Sequence, residues 1–319
     1  MQSAMGILKK IKKNRYVTFL RRLIVYPAST FLIFVIRRLS WEKVTSLGRF
    51  LGSCAFHLVR YGRKRTLDNL TRVFGEKTEA EILKIAEKTY ENLGSTVLEF
   101  LKLPALSDEK FFRKVDFEKE QVDFLRNIMG EKRGVIFASA HIGNWEMLAD
   151  FGARLGLKMS VLYKPSTNPY LNRLWAELRS RNELIDINRD LSRVTARLRR
   201  NEAICLLFDE NARSRGIKLE FFGLPASTYR GPAYFALRCG SPIVCLYFVR
   251  TESGRQRFII DRTIRPERTG NLEADIVGVL REMNGSLERI IREYPDQWNW
   301  VYKRWSSGSL REPLASRKS

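Results

Sequence analysis

The 319-residue chain reads as an α/β protein with a largely parallel central sheet flanked by helices. Three observations predict this. From about residue 134 onward, short apolar runs alternate with segments of helical spacing, the pattern that builds strand–helix–strand units. The apolar runs, Gly134–Ala140 first among them, read as buried strands. Hydrophobic and charged contents of 44% and 29% are those of a globular protein, in a chain long enough to bury a large core.

Residues 1–40 form the first unit, a basic membrane anchor. Lys+Arg 57 against Asp+Glu 35 gives a net charge of +22, a balance that seeks polyanions. The excess is densest from Lys9 to Arg72, where only Glu42 and Asp68 oppose it. The cationic residues flank the most apolar stretch of the chain, Leu23–Ile36. Basic residues beside an apolar segment suit an anionic lipid surface, at about 1 kcal/mol each. Nucleic acid is the rival polyanion, but no helix-turn-helix, zinc or RNP-type signature supports it. As a helix, residues 23–36 would extend roughly 21 Å at 1.5 Å per residue. The hydrocarbon core is about 30 Å thick. The segment is therefore read as embedded or interfacial, with a tilted single span as the alternative. Arg37-Arg38 follow it where a cleaved signal peptide would carry small residues.

Residues 41–104 form a helical lead-in. Leu47, Leu51, Cys54, Phe56 and Leu58 are expected on one buried side, followed by Leu67, Leu70 and Phe74. Residues Glu79 to Leu103 continue the helical pattern, and Pro104 stops it. Residues 134–305 hold the α/β core. The expected strands are Gly134–Ala140, Met159–Tyr163, Glu183–Asp186, Ala203–Phe208, Pro242–Val249 and Phe258–Ile260. The expected helices are Trp145–Leu155, Pro169–Arg181, Ser192–Arg199, Pro232–Cys239 and Leu272–Tyr294. Residues 306–319 are polar and read as a loose tail. Cys54, Cys205, Cys239 and Cys245 form no C-x-x-C pair, which fits a reducing compartment.

The first strand ends in Ala138-Ser-Ala-His141-Ile-Gly-Asn144-Trp-Glu146. Open α/β sheets place their sites at the C-terminal ends of strands. A neutral imidazole there can take a proton from a hydroxyl, and a carboxylate on its other nitrogen fixes the tautomer. Glu146 is the expected partner, with Gly143 and Asn144 as a turn and helix N-cap. A second strand ends in Asp209-Glu210, on the same sheet edge, where either could support the base. Residues 218–233 are dense in turn formers and lead to a helix start at Gly231, a possible anion cradle. Arg173, Arg179 and Arg181 follow a strand and are candidates for a phosphate clamp. No ligand cluster implies a metal.

These blocks together resemble a known family. His141-x4-Glu146, Tyr163-Lys-Pro with Asn168-Pro, and Asp209 in "LLFDEN" are similar to the H-x4-D/E signature of membrane glycerolipid and lipid A acyltransferases. The stretches "RKRTLDNLTRVFGE", "FFGLPASTYRGPAYFALRCGSPIV" and "YPDQWNWVYKRW" resemble the lauroyl/myristoyl branch of the lysophospholipid acyltransferase superfamily, which acts late in lipid A biosynthesis. Phosphatidylinositol mannoside acyltransferases share the same blocks. The family often has Asp-Gln where this chain has Asp209-Glu210. The resemblance implies a glycerol-3-phosphate acyltransferase-like fold over residues 41–305, attached to the cytoplasmic face of the inner membrane. It implies transfer of a fatty acyl group from a thioester to a glycolipid hydroxyl. His141 would be the general base and Glu146 its orienting group, with Asn144, Asp209 or Glu210 in support. Arg173, Arg179, Arg181, Arg230 and Gly231 would bind substrate, and the amides near Gly143–Asn144 or Gly231 would receive the oxyanion. No cofactor is implied. Acyl carrier protein or coenzyme A is the co-substrate, the carrier protein being the expected donor.

Overall fold

The computed structural model of the protein describes residues 29–305. Most of the expected anchor, residues 1–28, and the polar tail lie outside the described residues. The described part opens with a helix over 29–38. Among the described residues, no helix is long and apolar enough to cross a membrane.

The lead-in comprises α1 (Trp41–Cys54), a π-helical turn (Ala55–Val59), α2 (Arg63–Val73) and α3 (Glu79–Lys102). Ser40 caps α1 by accepting from the Lys43 amide. Thr78 and Glu81 cap α3 reciprocally, each satisfying a donor the helix leaves unpaired. α1 lies closely against α3 because their contact is built from small residues: a Cβ on Gly48 would sit 2.4 Å from the Ser95 Cα. The expected apolar side of this region is corrected in part. Phe56 is fully buried, but Leu51 and Leu58 face outward: α1 buries the face of Val44, Thr45, Gly48 and Gly52 instead, and Leu58 lies in the π-helical turn beyond it.

After α4 (Asp108–Phe112), the core runs through β1 (Val115–Asp116), α5 (Lys119–Gly130), β2 (Val135–Ser139), α6 (Glu146–Arg154) and β3 (Met159–Tyr163). It continues with α7 (Pro169–Leu178), β4 (Glu183–Asp186), α8 (Leu191–Arg199) and β5 (Ala203–Leu207). A hairpin, β6 (Ile217–Phe221) and β7 (Leu224–Thr228), precedes α9 (Gly231–Cys239), β8 (Ile243–Arg250), β9 (Gln256–Ile264) and α10 (Leu272–Glu293).

Seven strands form one sheet in the order β1-β9-β8-β2-β5-β3-β4. All neighbours are parallel except β8 and β9. Helices bury both faces. On β2, Ile136 and Ala138 enter one core, and Val135 and Phe137 the other. β8 divides its residues in the same way and is buried along its whole length. That two-sided burial is why these strands are apolar at every position up to their last residues, Ser139 and Arg250.

The stretch expected as a loop before α9 is a hairpin instead. Phe222 and Gly223, at φ 54° and 67°, supply the left-handed pair that a two-residue hairpin turn requires. Leu219, Phe221, Leu224 and Ala226 pack into the core from it. The expected strands and helices of residues 134–305 are otherwise present, with ends shifted by a few residues.

Candidate active site

β2 and β5 are parallel neighbours in a register that pairs Ser139 with Leu207. His141 and Asp209 each stand two residues past those positions, so they leave the sheet edge level with one another. The His141 Nδ1 lies 2.8 Å from Asp209 Oδ1. An ionised carboxylate only accepts, so Nδ1 carries the proton and Nε2 is the basic nitrogen. Asp209 Oδ2 accepts two further bonds, from the His141 amide at 3.0 Å and the Trp298 indole at 2.8 Å. Asp209 is fully buried and the imidazole is 13% exposed.

Burial alone would lower the proton affinity of this imidazole. The charge and hydrogen bond of Asp209, with the nearby carboxylates of Glu210 and Glu146, outweigh it and raise the pKa above 6.5. Burial would likewise raise the Asp209 carboxyl, but His141, the Trp298 indole and the His141 amide hold it below its ordinary value.

The expected pairing of His141 with Glu146 is corrected. Glu146 opens α6 and turns to Arg179, which grips it at 2.9 Å and 2.6 Å through Nε and Nη2. A bidentate guanidinium satisfies both carboxylate oxygens, so Glu146 reaches the imidazole by its field and not by a hydrogen bond. Asn144 is not the N-cap of α6. Trp145 holds that position without a side-chain bond, while Asn144 Nδ2 donates to Glu99 at 2.7 Å.

The turn after His141 is held from beneath. Gly143 adopts φ +55°, and a Cβ there would lie 1.9 Å from the Phe248 carbonyl oxygen. Only glycine fits this crossing. The Gly143 amide donates to the Gln297 carbonyl at 3.0 Å and the Asn144 amide to the Phe248 carbonyl at 3.1 Å. Both amides are thus committed to the fold, which removes them as the expected oxyanion donors. Thr96 donates to the Gly143 carbonyl at 2.9 Å. Glu99, fully buried, accepts from Thr45 at 2.6 Å, from Asn144, and from both terminal nitrogens of Arg250.

A strap over residues 297–305 ties the two strand ends together. The Asn299 amide donates to the His141 carbonyl at 2.9 Å, and the Tyr302 ring meets the imidazole edge-on at 4.7 Å. Arg304 donates to the carbonyls of Glu210 and Ser227 and to Thr228 Oγ1. Trp298, Trp300 and Trp305 anchor the strap in the core beside Phe221. Sequence reading identified the block "YPDQWNWVYKRW" but assigned no role to Trp298, Tyr302 or Arg304. Polar residues among buried tryptophans were the available signal.

The site opens into a cavity of about 1370 Å³ whose wall includes His141, Glu146, Arg179, Glu210 and Tyr302. Most of the remaining lining is apolar, with Phe100, Leu101, Leu162, Leu174, Leu206 and Phe235 among it. Gly231, at the start of α9, also lines it, as does Arg230. Arg230 is paired with Glu273. The three arginines expected as a phosphate clamp are separated. Arg173 is exposed and pairs with Glu177, Arg179 holds Glu146, and Arg181 lies between Asp108 and Asp150. Among the described residues there is no His, Cys, Asp or Glu cluster able to hold a metal ion. Burial pushes the thiols of Cys205 and Cys245 up to about 12, which makes them packing residues and not nucleophiles.

A histidine–carboxylate pair at the C-terminal edge of a parallel sheet, facing an apolar cavity, is an arrangement suited to proton transfer beside an apolar ligand. Residues 10–307 match the bacterial lipid A biosynthesis acyltransferase family, and the chain belongs to that family of acyltransferases. It is 24% identical over 283 residues to the lipid A biosynthesis lauroyltransferase of Escherichia coli (strain K12), covering 86% of this chain and 89% of that protein. It is 24% identical over 295 residues to the phosphatidylinositol mannoside acyltransferase of Mycobacterium tuberculosis (strain ATCC 25618 / H37Rv), covering 87% and 90%. The lipid A biosynthesis myristoyltransferase of Escherichia coli (strain K12) is 24% identical over 260 residues, covering 81% and 78%.

Proposed function

We propose that the protein transfers a fatty acyl chain from an acyl thioester to a hydroxyl of a membrane glycolipid, a lipid A precursor, at the cytoplasmic face of the inner membrane. The observation that carries this reading is the His141–Asp209 pair in the wall of a large apolar cavity. The names of the relatives support the acceptor class.

In the proposed reaction, His141 Nε2 takes the proton of the acceptor hydroxyl as its oxygen attacks the thioester carbonyl. Asp209 keeps the proton on Nδ1 and stabilises the imidazolium. The tetrahedral oxyanion needs donors, and the start of α9 at Gly231 is the remaining backbone candidate of the two the sequence singles out. Collapse breaks the C–S bond, and the thiolate leaves with the proton from the imidazolium. Glu146 and Arg179 are a fixed ion pair in the cavity wall that orients substrate. Acyl carrier protein is the proposed donor and coenzyme A the alternative. Both are anionic and suit a chain of net charge +22.

Mass spectrometry of membrane lipids from cells with and without the gene tests this reading. The expected result is a lipid A species heavier by one acyl chain only when the gene is present. The same added mass on a phosphatidylinositol mannoside would change the acceptor, and unchanged glycolipids would overturn the proposal.

A further inference from the structure

Two stretches that stand out in the sequence, residues 63–76 and 294–305, take no part in the proposed chemistry, yet they meet beside the catalytic pair. Arg65 of α2 donates to the Val301 carbonyl at 3.0 Å. The buried Asn69 amide donates to the carbonyls of Trp300 at 3.0 Å and Tyr302 at 3.2 Å. At the start of the strap, Gln297 exchanges two hydrogen bonds with the Arg250 backbone, at 2.7 Å and 2.8 Å.

Held in this way, the strap pairs with the catalytic turn like a short extra strand. Ile142 and Trp298 form an antiparallel bridge. The hydrogen bonds from the Gly143 amide to the Gln297 carbonyl and from the Asn299 amide to the His141 carbonyl flank it. That pairing sets the position of Trp298, whose ring is fully buried among Phe221, Trp300 and Trp305. Its Nε1 donates to Asp209 Oδ2 at 2.8 Å.

The use of an indole here has a chemical consequence. The Asp209 carboxylate turns about two side-chain bonds, and the His141 amide alone would fix it at one point. The second donor on Oδ2 fixes the plane of the carboxylate and leaves Oδ1 for Nδ1. An indole N–H donates and never accepts. It therefore favours the carboxylate over the carboxylic acid, whereas a hydroxyl or an amide could turn and accept from the acid. Burial would raise the Asp209 carboxyl, and the indole acts with His141 to hold it below its ordinary value. A donor on Oδ2 also draws negative charge away from Nδ1, so the imidazolium gives up its proton more readily than Asp209 alone would allow.

We infer that Trp298 is a positioning residue for the His141–Asp209 pair, placed by the strap and held there by Arg65 and Asn69 of α2. It fixes the orientation of the carboxylate and tempers the basicity of the imidazole. The value of this to acyl transfer rests on the proposed function; the positioning itself does not.

The test reads the imidazole directly. The chain has two histidines, and His57→Gln removes the other one, which pairs with Glu87 on the surface. NMR of isotope-labelled ring nitrogens then follows the titration of His141 alone. The other charged or titratable groups facing the pair are Glu146, Glu210, Arg304, Tyr302 and Tyr247. All stay in place in each variant, so a moved midpoint reports the indole donor. Trp298→Phe removes the N–H together with part of a buried ring. Benzothienylalanine at position 298 removes the N–H at nearly unchanged shape and serves where Trp298→Phe fails to fold. In both, the His141 midpoint should rise by about half a unit or more, and kcat for acyl transfer should fall about tenfold or more with KM within about twofold. Trp300 belongs to the same cluster but donates to the Pro295 carbonyl, and benzothienylalanine at position 300 should leave the midpoint at its wild-type value. A midpoint unmoved by benzothienylalanine at position 298 would overturn the proposal and leave Trp298 as core packing. An equal shift from position 300 would also overturn it, since general loosening would explain both. If wild type itself transfers no acyl chain, the acyltransferase reading fails, while the titration still decides the role of Trp298.

Discussion

Replacing Asp209 by Asn changes one oxygen to an NH2 group at an unchanged shape. Its consequence follows from three hydrogen bonds. Oδ2 accepts from the His141 amide and the Trp298 indole, while Oδ1 accepts from His141 Nδ1. Asparagine has one acceptor oxygen. Pointing it at the two fixed donors keeps two bonds and turns its NH2 toward Nδ1. Nδ1 must then accept, and the imidazole proton moves to Nε2, the nitrogen that has to be basic. The opposite flip leaves two buried donors facing an NH2 group, at about 1–3 kcal/mol for each unsatisfied group. The fold therefore selects the inactive tautomer. Substitutions that invert the tautomer in a histidine–carboxylate pair lower turnover by about 10⁴-fold, equivalent to ~5.5 kcal/mol in the barrier at 1.36 kcal/mol per factor of ten. The assay is the initial rate of acyl transfer to a lipid A precursor, with circular dichroism melting as the check on folding. A folded Asp209→Asn protein with a rate within tenfold of wild type would refute the reasoning.

The raised pKa of His141 predicts that kcat/KM climbs with pH through a limb lying above 6.5, because only the neutral imidazole accepts the proton. A pH–rate profile flat from 6 to 8 would contradict it. The same shift gives a stability term fully present below the unfolded imidazole pKa and lost as pH rises through the folded value, whereas the Asp209 term is lost as pH falls below the ordinary carboxylate range. Glu99→Ala leaves Arg250 charged and buried without its partner and should destabilise the fold by about 3–5 kcal/mol, read as a lower midpoint in urea unfolding. Gly143→Ala places a methyl 1.9 Å from the Phe248 carbonyl oxygen at φ +55°. It should abolish soluble expression or lower the melting temperature sharply, and a wild-type melting curve would show that the turn can relax.

The apolar runs of β2, β5 and β8 made the parallel core legible, since strands buried on both faces are apolar along most of their length. The hairpin β6–β7 was not legible, because Gly223, Pro225 and Ser227 look like loop residues and the hairpin has only five residue pairs. His141 was visible as a histidine at a strand end, but its partner was not fixed. Chain proximity favours Glu146, five residues on, whereas sheet register favours Asp209, sixty-eight residues away. Register prevails because β2 and β5 are neighbours, and strand order is a tertiary property that periodicity does not encode. The committed amides of Gly143 and Asn144 were hidden for the same reason, as their acceptors lie on β8 and the strap.

The central proposal is His141 as the base for acyl transfer. Its most direct test incubates purified wild-type protein and His141→Ala with acyl carrier protein bearing a labelled acyl chain and a lipid A precursor, and weighs the lipid product by mass spectrometry. One added acyl chain is expected with wild type and none with a folded His141→Ala. Equal product from the two proteins would contradict it.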